Sequence, residues 1–263
     1  MGSRVSQAIR RPRAFTSSYL MNQLVLRRPY VVAWWSAALP GFGHIMMCKY
    51  ATGFLLMGME LVINVKAHLN SAILYTMLGE FHQAKITIDL RWILLYVGMY
   101  GFAIRDSYRV AIEVNQLYTL SDRGDAPIIP VKISALELNY LSLRNWRDVV
   151  LWSFLCPGAG HLYVNRIPTG FFILGWYLLV FYQSNLSRAI LATFQGHFAL
   201  ATTLLKPEWL LFFPSIYGFA AHDAYLQAVE LSKMFKSEQS RFLSENYQHR
   251  AIQLSTLQRK EVK

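Results

Sequence analysis

PGFGH at residues 40–44 returns as PGAGH at residues 157–161, each time inside a run of apolar residues. Proline removes a backbone donor and clashes with the turn before it, and glycine permits a sharp reversal, so neither suits the middle of a helix. A break that occurs twice implies a unit that occurs twice. At the same offset of 117 residues (40 to 157), LMNQLVLRRPYVVAWWS lies over ELNYLSLRNWRDVVLWS, pairing Asn22 with Asn139, Arg27 with Arg144 and Trp35 with Trp152. Further on, Thr52-Gly53-Phe54 meets Thr169-Gly170-Phe171, and Tyr100-Gly101-Phe102-Ala103 meets Tyr217-Gly218-Phe219-Ala220. Asp106, Tyr108 and Glu113 fall on Asp223, Tyr225 and Glu230. A gapless match of this length is the mark of internal duplication.

The chain accordingly divides into a basic flank (1–19), a first repeat (20–115), a linker (116–136), a second repeat (137–232) and a charged tail (233–263). The linker holds glycine, two prolines and mixed charge, a composition that does not sustain a helix. In the tail, Phe235, Phe242, Leu243, Ile252 and Leu257 are spaced as on a helix with one apolar side.

Composition indicates the solvent. Hydrophobic residues make up 54% of the 263 and charged residues 16%, against roughly 25% charged in soluble domains. The net charge of +11 invites a nucleic-acid reading, but Lys and Arg sit in segments flanking apolar runs, the pattern of the positive-inside bias. The expected partner is a lipid bilayer, with a further copy or an envelope protein beside it, and no nucleic acid. Cys48 and Cys156 are not at equivalent positions and form no disulfide framework. The first 28 residues contain six Arg and no acid and lack the apolar core of a secretory signal. MGSRVS fits the permissive myristoylation pattern, but a basic cytoplasmic flank accounts for the stretch.

Each repeat has three apolar stretches: 31–48 with its Pro-Gly break, 51–65 carrying Glu60, and 92–104, with counterparts beginning at Val149, Pro168 and Trp209. Between the last two, Ile73, Met77, Phe81 and Ala84 recur at helical spacing and predict an amphipathic helix on the membrane surface. Basic residues before the first stretch, in 105–148 and in the tail place all three regions in the cytoplasm. Each repeat then crosses an even number of times. The broken stretch is expected to dip and return, its freed backbone groups sheltered by protein, while the other two cross; the alternative has all six stretches crossing as inverted repeats, which would leave the basic linker outside. The fold class expected is an all-α integral membrane protein of two parallel tandem repeats, in the cell membrane with both basic termini cytoplasmic.

PGFGHIMMCKYATGF and PGAGHLYVNRIPTGF resemble the Pro-Gly-x-Gly-(His or Gln) turn and Gly-aromatic helix start of small bacterial membrane-hairpin proteins of the two-transmembrane-domain type. The likeness covers some 18 residues per copy. It implies a bacterial inner-membrane address and no activity.

The polar residues that recur are His44 and His161, Asp106 and Asp223, and Tyr108 and Tyr225; Glu60 is opposite Tyr177 and belongs to the first copy alone. The turn motif itself is Pro40, Gly41 and Gly43 with Pro157, Gly158 and Gly160. Ionisable groups near lipid need partners, so each His is expected to anchor the broken turn by a hydrogen bond, and each Asp to meet its repeat's His or a neighbouring Arg. Two such ligands per repeat fall short of the three or four of a metal site, and no soluble-enzyme motif is present. Glu60 shares a helix face with Asn64 and is placed to pair with Lys66 or Lys49. Glycines 53, 58, 101, 170, 175 and 218 are read as points of close helix approach, and Trp34, Trp35, Trp92, Trp146, Trp152 and Trp209 as headgroup anchors. Catalytic residues, metal and cofactor are not expected. The reading is a non-enzymatic scaffold or assembly component of the envelope, with a small transporter or channel at the two broken segments as the alternative.

Overall fold

The computed structural model describes residues 13–123, 128–135 and 137–247, and is mostly helical. The described residues open with a short antiparallel hairpin, β1 (Ala14–Thr16) and β2 (Met21–Gln23), in which Phe15 pairs with Asn22. Helix α1 (Pro29–Ala38) begins on a proline, whose missing N–H costs nothing at a first turn. It ends at Leu39. Pro40 and Gly41 then reverse the chain, Gly41 at a φ of 104° that side chains avoid. The short α2 (Phe42–Met46) returns along α1, so close that a Cβ on Gly43 would overlap the Val32 carbonyl and the Ser36 hydroxyl.

From there α3 (Tyr50–Ala67) runs away and turns at His68 into α4 (Leu69–Met77) and α5 (Phe81–Thr87). Helix α6 (Leu90–Arg123) travels back along α3 and α1. The order recurs 117 residues later: β3 (Val131–Ile133), β4 (Leu138–Tyr140), α7 (Trp146–Leu155), α8 (Ala159–Tyr163), α9 (Ile167–Gln183), α10 (Leu186–Phe194), α11 (Phe198–Leu204), the single turn α12 (Pro207–Leu210) and α13 (Phe213–Tyr247). Small tertiary bonds recur with it. Asn115 clamps both backbone groups of Arg27, and Ser232 clamps those of Arg144.

Several expectations change. The stretch 68–87 is two helices, because Gly79 takes a φ of 80° and stops α4; Gly196 at 79° does the same after α10. The region 116–123 continues α6, and the hairpins start at Ala14 and Val131, ahead of the boundaries set at 20 and 137. Composition marked the linker by Gly124, Pro127 and Pro130, which follow the helix end. Residues 233–247 extend α13, whereas Ile252, Leu257 and the stretch MGSRVS lie outside the described residues. Among the described residues no single helix is long and apolar enough to cross a membrane. Two bent pairs, Phe81–Thr87 with Leu90–Ser121 (91°) and Ile167–Gln183 with Leu186–Phe194 (60°), have the length and composition together.

The main core lies between the halves: Trp35, Leu39, Phe42 and Met57 meet Ile173, Phe212, Ile216 and Phe219. Phe42 stacks on Phe219 at 3.8 Å between ring centres, and Trp35 meets Phe219 edge-on at 5.5 Å. Trp35 is thus a core residue and not a headgroup anchor. Of the six glycines read as approach points, Gly53 and Gly170 are tightly enclosed, each facing the carbonyl of Gly41 or Gly158, and Gly218 rests on Trp35. Gly58, Gly101 and Gly175 have no neighbour for a Cβ among the described residues.

The contrast sets a test. Gly43→Ala and Gly160→Ala force α2 off α1 and α8 off α7, and are expected to destabilise by about 1–3 kcal/mol. Gly58→Ala and Gly175→Ala, in open helix positions, are expected to stabilise by about 0.5–1 kcal/mol. Unfolding midpoints of the four purified variants measure the difference.

Candidate functional site

The returning helix of each half carries its histidine onto the long helix behind it. His44, fully buried, places Nε2 3.1 Å from Asp106 Oδ2; His161, fully buried, places Nε2 3.1 Å from Asp223 Oδ2. Because a carboxylate only accepts, Nε2–H donates in both. The reversal makes this possible, since α2 and α8 would otherwise point away from α6 and α13.

The two pairs differ in their third member. In the first half the turn continues with Lys49, which is exposed, and Asp106 is met from its own helix by Arg109, whose Nε donates over 3.0 Å while Nη1 reaches Glu113 over 2.6 Å. In the second half the residue at the same position is Arg166, and it is buried. Its Nη1 donates to Asp223 Oδ2 over 2.7 Å; its Nη2 donates to the Tyr50 hydroxyl over 2.6 Å and lies 3.4 Å from the Ile45 carbonyl. Tyr50 donates in turn to Asn22 over 3.1 Å, and its ring lies under the guanidinium. One buried ion pair therefore ties the histidine turn of the second half to the turn, hairpin and helix start of the first. Arg166 escaped notice because the duplicate position, Lys49, is an ordinary flanking cation.

Asp106 and Asp223 stand just beyond the apolar stretches. Burial pushes each carboxyl up, but in Asp223 the Arg166 guanidinium and the His161 bond outweigh it, holding the group well below the usual carboxylate range. Arg109 and His44 hold Asp106 down in the same way from a more open position.

The remaining residues singled out by sequence lie elsewhere. Tyr108 stacks edge-on against Tyr30 at 5.3 Å, and Tyr225 against Trp146 at 5.6 Å, each closing the long helix onto the start of α1 or α7. Glu60 is buried on α3 and accepts from Asn64 over 2.9 Å, with no ion pair to Lys66 or Lys49. Asn64 continues to Asn70, and Asn70 Nδ2 donates to the Glu208 carbonyl over 2.8 Å, while His68 meets the Glu208 side chain at 2.9 Å. This second chain of polar contacts pins the far ends of the halves together. Glu60 pairs with Asn64 one turn along its own helix face, whereas Lys66 and Lys49 are exposed. Among the described residues no three of His, Cys, Asp and Glu gather in the geometry of a metal site.

Chemically, the arrangement fastens: both recurring His–Asp pairs join a returning helix to the long helix behind it. Comparison with family models, with characterised proteins and with solved structures finds no match to this chain.

Removing one partner from a buried ion pair strands the other. Asp223→Asn is expected to cost about 3–5 kcal/mol, and Asp106→Asn far less, as its pair with Arg109 is open to solvent. Because the Asp223 pKa is depressed on folding, its contribution is in place above the unfolded value of about 3.9 and is lost as pH falls through the folded value. Chemical unfolding at neutral pH and at stepwise lower pH reads both; equal costs for the two substitutions would contradict the asymmetry.

Proposed function

We propose that the chain is a non-enzymatic multi-pass membrane protein of the bacterial cell envelope, a tandem duplicate that acts as a scaffold or assembly component. The observation that carries this reading is its inverted distribution of polarity. Arg166, Asp223, His161, Glu60 and Asn64 are buried, while Leu55, Val62, Leu94, Val97, Phe171, Leu178, Phe194 and Phe198 face outward. Water-soluble folds keep exposed apolar patches small; a bilayer reverses the preference and makes internal partners obligatory for ionisable groups.

The path of each half supports the topology expected from the charges. The first helix goes in, Pro-Gly turns it, and the short helix returns against it, which is the sheltered geometry that a re-entrant segment needs. Helix α3, 18 residues long, measures about 27 Å at 1.5 Å per residue and needs the α4 it bends into, as α9 has α10, to match the roughly 30 Å of a hydrocarbon core. It leads out and α6 leads back. The likeness to membrane-hairpin proteins agrees with such a path. Glu60 is committed to Asn64 and supports a fastening role more than an ion path.

Two measurements test the proposal. The protein should remain with membranes through alkaline carbonate and leave them only with detergent. Cytoplasmic reporters fused after Gly124 and at the C-terminus should both be active. Release at high pH removes the membrane assignment, and an external linker overturns the parallel arrangement of the repeats.

A further inference from the structure

The contact between the two halves is directional. Trp35 on α1 is 7% exposed because it covers Phe219 on α13, which is 0% exposed. A two-fold arrangement of the halves would pair the duplicate residues, Trp152 and Phe102, in the same way. Instead they are 48% and 54% exposed. Gly218 lies against the Trp35 ring, whereas its duplicate Gly101 faces open space among the described residues.

The hairpins repeat the pattern. Hairpin β1–β2 crosses to the second half, where the Ser17 carbonyl accepts from Asn139, the Tyr19 carbonyl accepts from the Ile167 amide, and Gln23 donates to Gln227. Met21 is 4% exposed there, packed among Leu141, Val164 and Leu231. Its duplicate on β4, Leu138, is 49% exposed. The duplicates of the residues that receive Met21 are Leu24, Met47 and Val114, and these line a cavity of about 190 Å³ in the first half. A void of about 150 Å³ holds a benzene molecule, so the space suits an aliphatic side chain.

One half thus offers a hairpin and a tryptophan face, and the next offers a groove and a phenylalanine face. Among the described residues one such junction is used internally and one offering is left unmatched on each half. Trp35, Gly101 and Phe102 are matched by identical residues at 152, 218 and 219, although the free members contact nothing equivalent among the described residues. An interface of this kind, repeated from unit to unit, builds a ring or an open row.

We propose that a second copy of this chain occupies the free groove: Leu138 of one copy enters the cavity lined by Leu24, Met47 and Val114 of the next, and Trp152 covers its Phe102. This deepens the assembly reading above and rests on it for the membrane setting.

The test uses full-length chains in which Cys48 and Cys156 are replaced by Ser, one carrying Leu138→Cys and one tag, the other carrying Met47→Cys and a different tag. Co-expressed in membranes and oxidised, they should give a disulfide-linked product bearing both tags. Chains with only one of the two cysteines should not. Leu138→Asp, at an exposed position, should abolish self-association in size-exclusion chromatography in mild detergent while leaving the unfolding midpoint unchanged. Cross-links only between two Leu138→Cys chains, or no two-tag product with the protein intact in membranes, overturn the head-to-tail junction, whichever other segment fills the cavity. Carbonate extraction of the same membranes separates the outcomes: a resident but monomeric protein removes this inference and leaves the membrane assignment standing.

Discussion

Everything in the structure follows from the reversal at Pro40–Gly41 and Pro157–Gly158. A helix that stops inside an apolar environment leaves carbonyls and amides without partners, and the returning helix is the local answer. It works only because Gly43 and Gly160 let two backbones meet at distances that no side chain permits. The fit brings His44 and His161 onto the long helices, where an aspartate receives each.

The recurring element order is put to unequal use in the two halves. In the first half, the aspartate is served by an arginine on its own helix, at the rim. In the second, Arg166 turns inward and gathers Asp223, Tyr50 and the Ile45 carbonyl into one buried cluster that belongs to both halves. A guanidinium suits this because it donates in several directions from a plane; the shorter-reaching hydrogen bonding of an ammonium at Lys49 leaves that residue in the open. The same position therefore supplies a surface charge in one copy and the principal tie between copies in the other.

Much of this was legible in the residues. Identity at a fixed offset exposed the unit, and the proline-glycine pair within apolar runs located the reversal. His44, His161, Asp106 and Asp223 were singled out because they recur. What composition could not convey was tertiary choice. Three-residue strands such as Ala14–Thr16 carry too short a pattern to stand out from a loop. The helical spacing of Ile73, Met77, Phe81 and Ala84 runs across Gly79, whose backbone angle stops the helix there. Arg166 and Tyr50, lacking matching duplicates, looked incidental, yet they meet across the molecule. Trp35 and Trp152 are each followed by a serine at matching positions of the two halves, and nothing in that pattern tells that only Trp35 has the other half lying against it.

The hairpin at the start of the chain also constrains the order of events during synthesis. Gln23 finds its partner at Gln227, about two hundred residues later, and Met21 seats against the last helix. Contacts separated this far along a polypeptide form late, so the hairpin waits for α13 before it settles. Until α13 is in place, β1 and β2 lack the seat that Met21 and Gln23 take in the second half, and the first half holds together by its own contacts: the glycine-packed turn, the His44–Asp106 bond and the packing of α6 on α1 and α3.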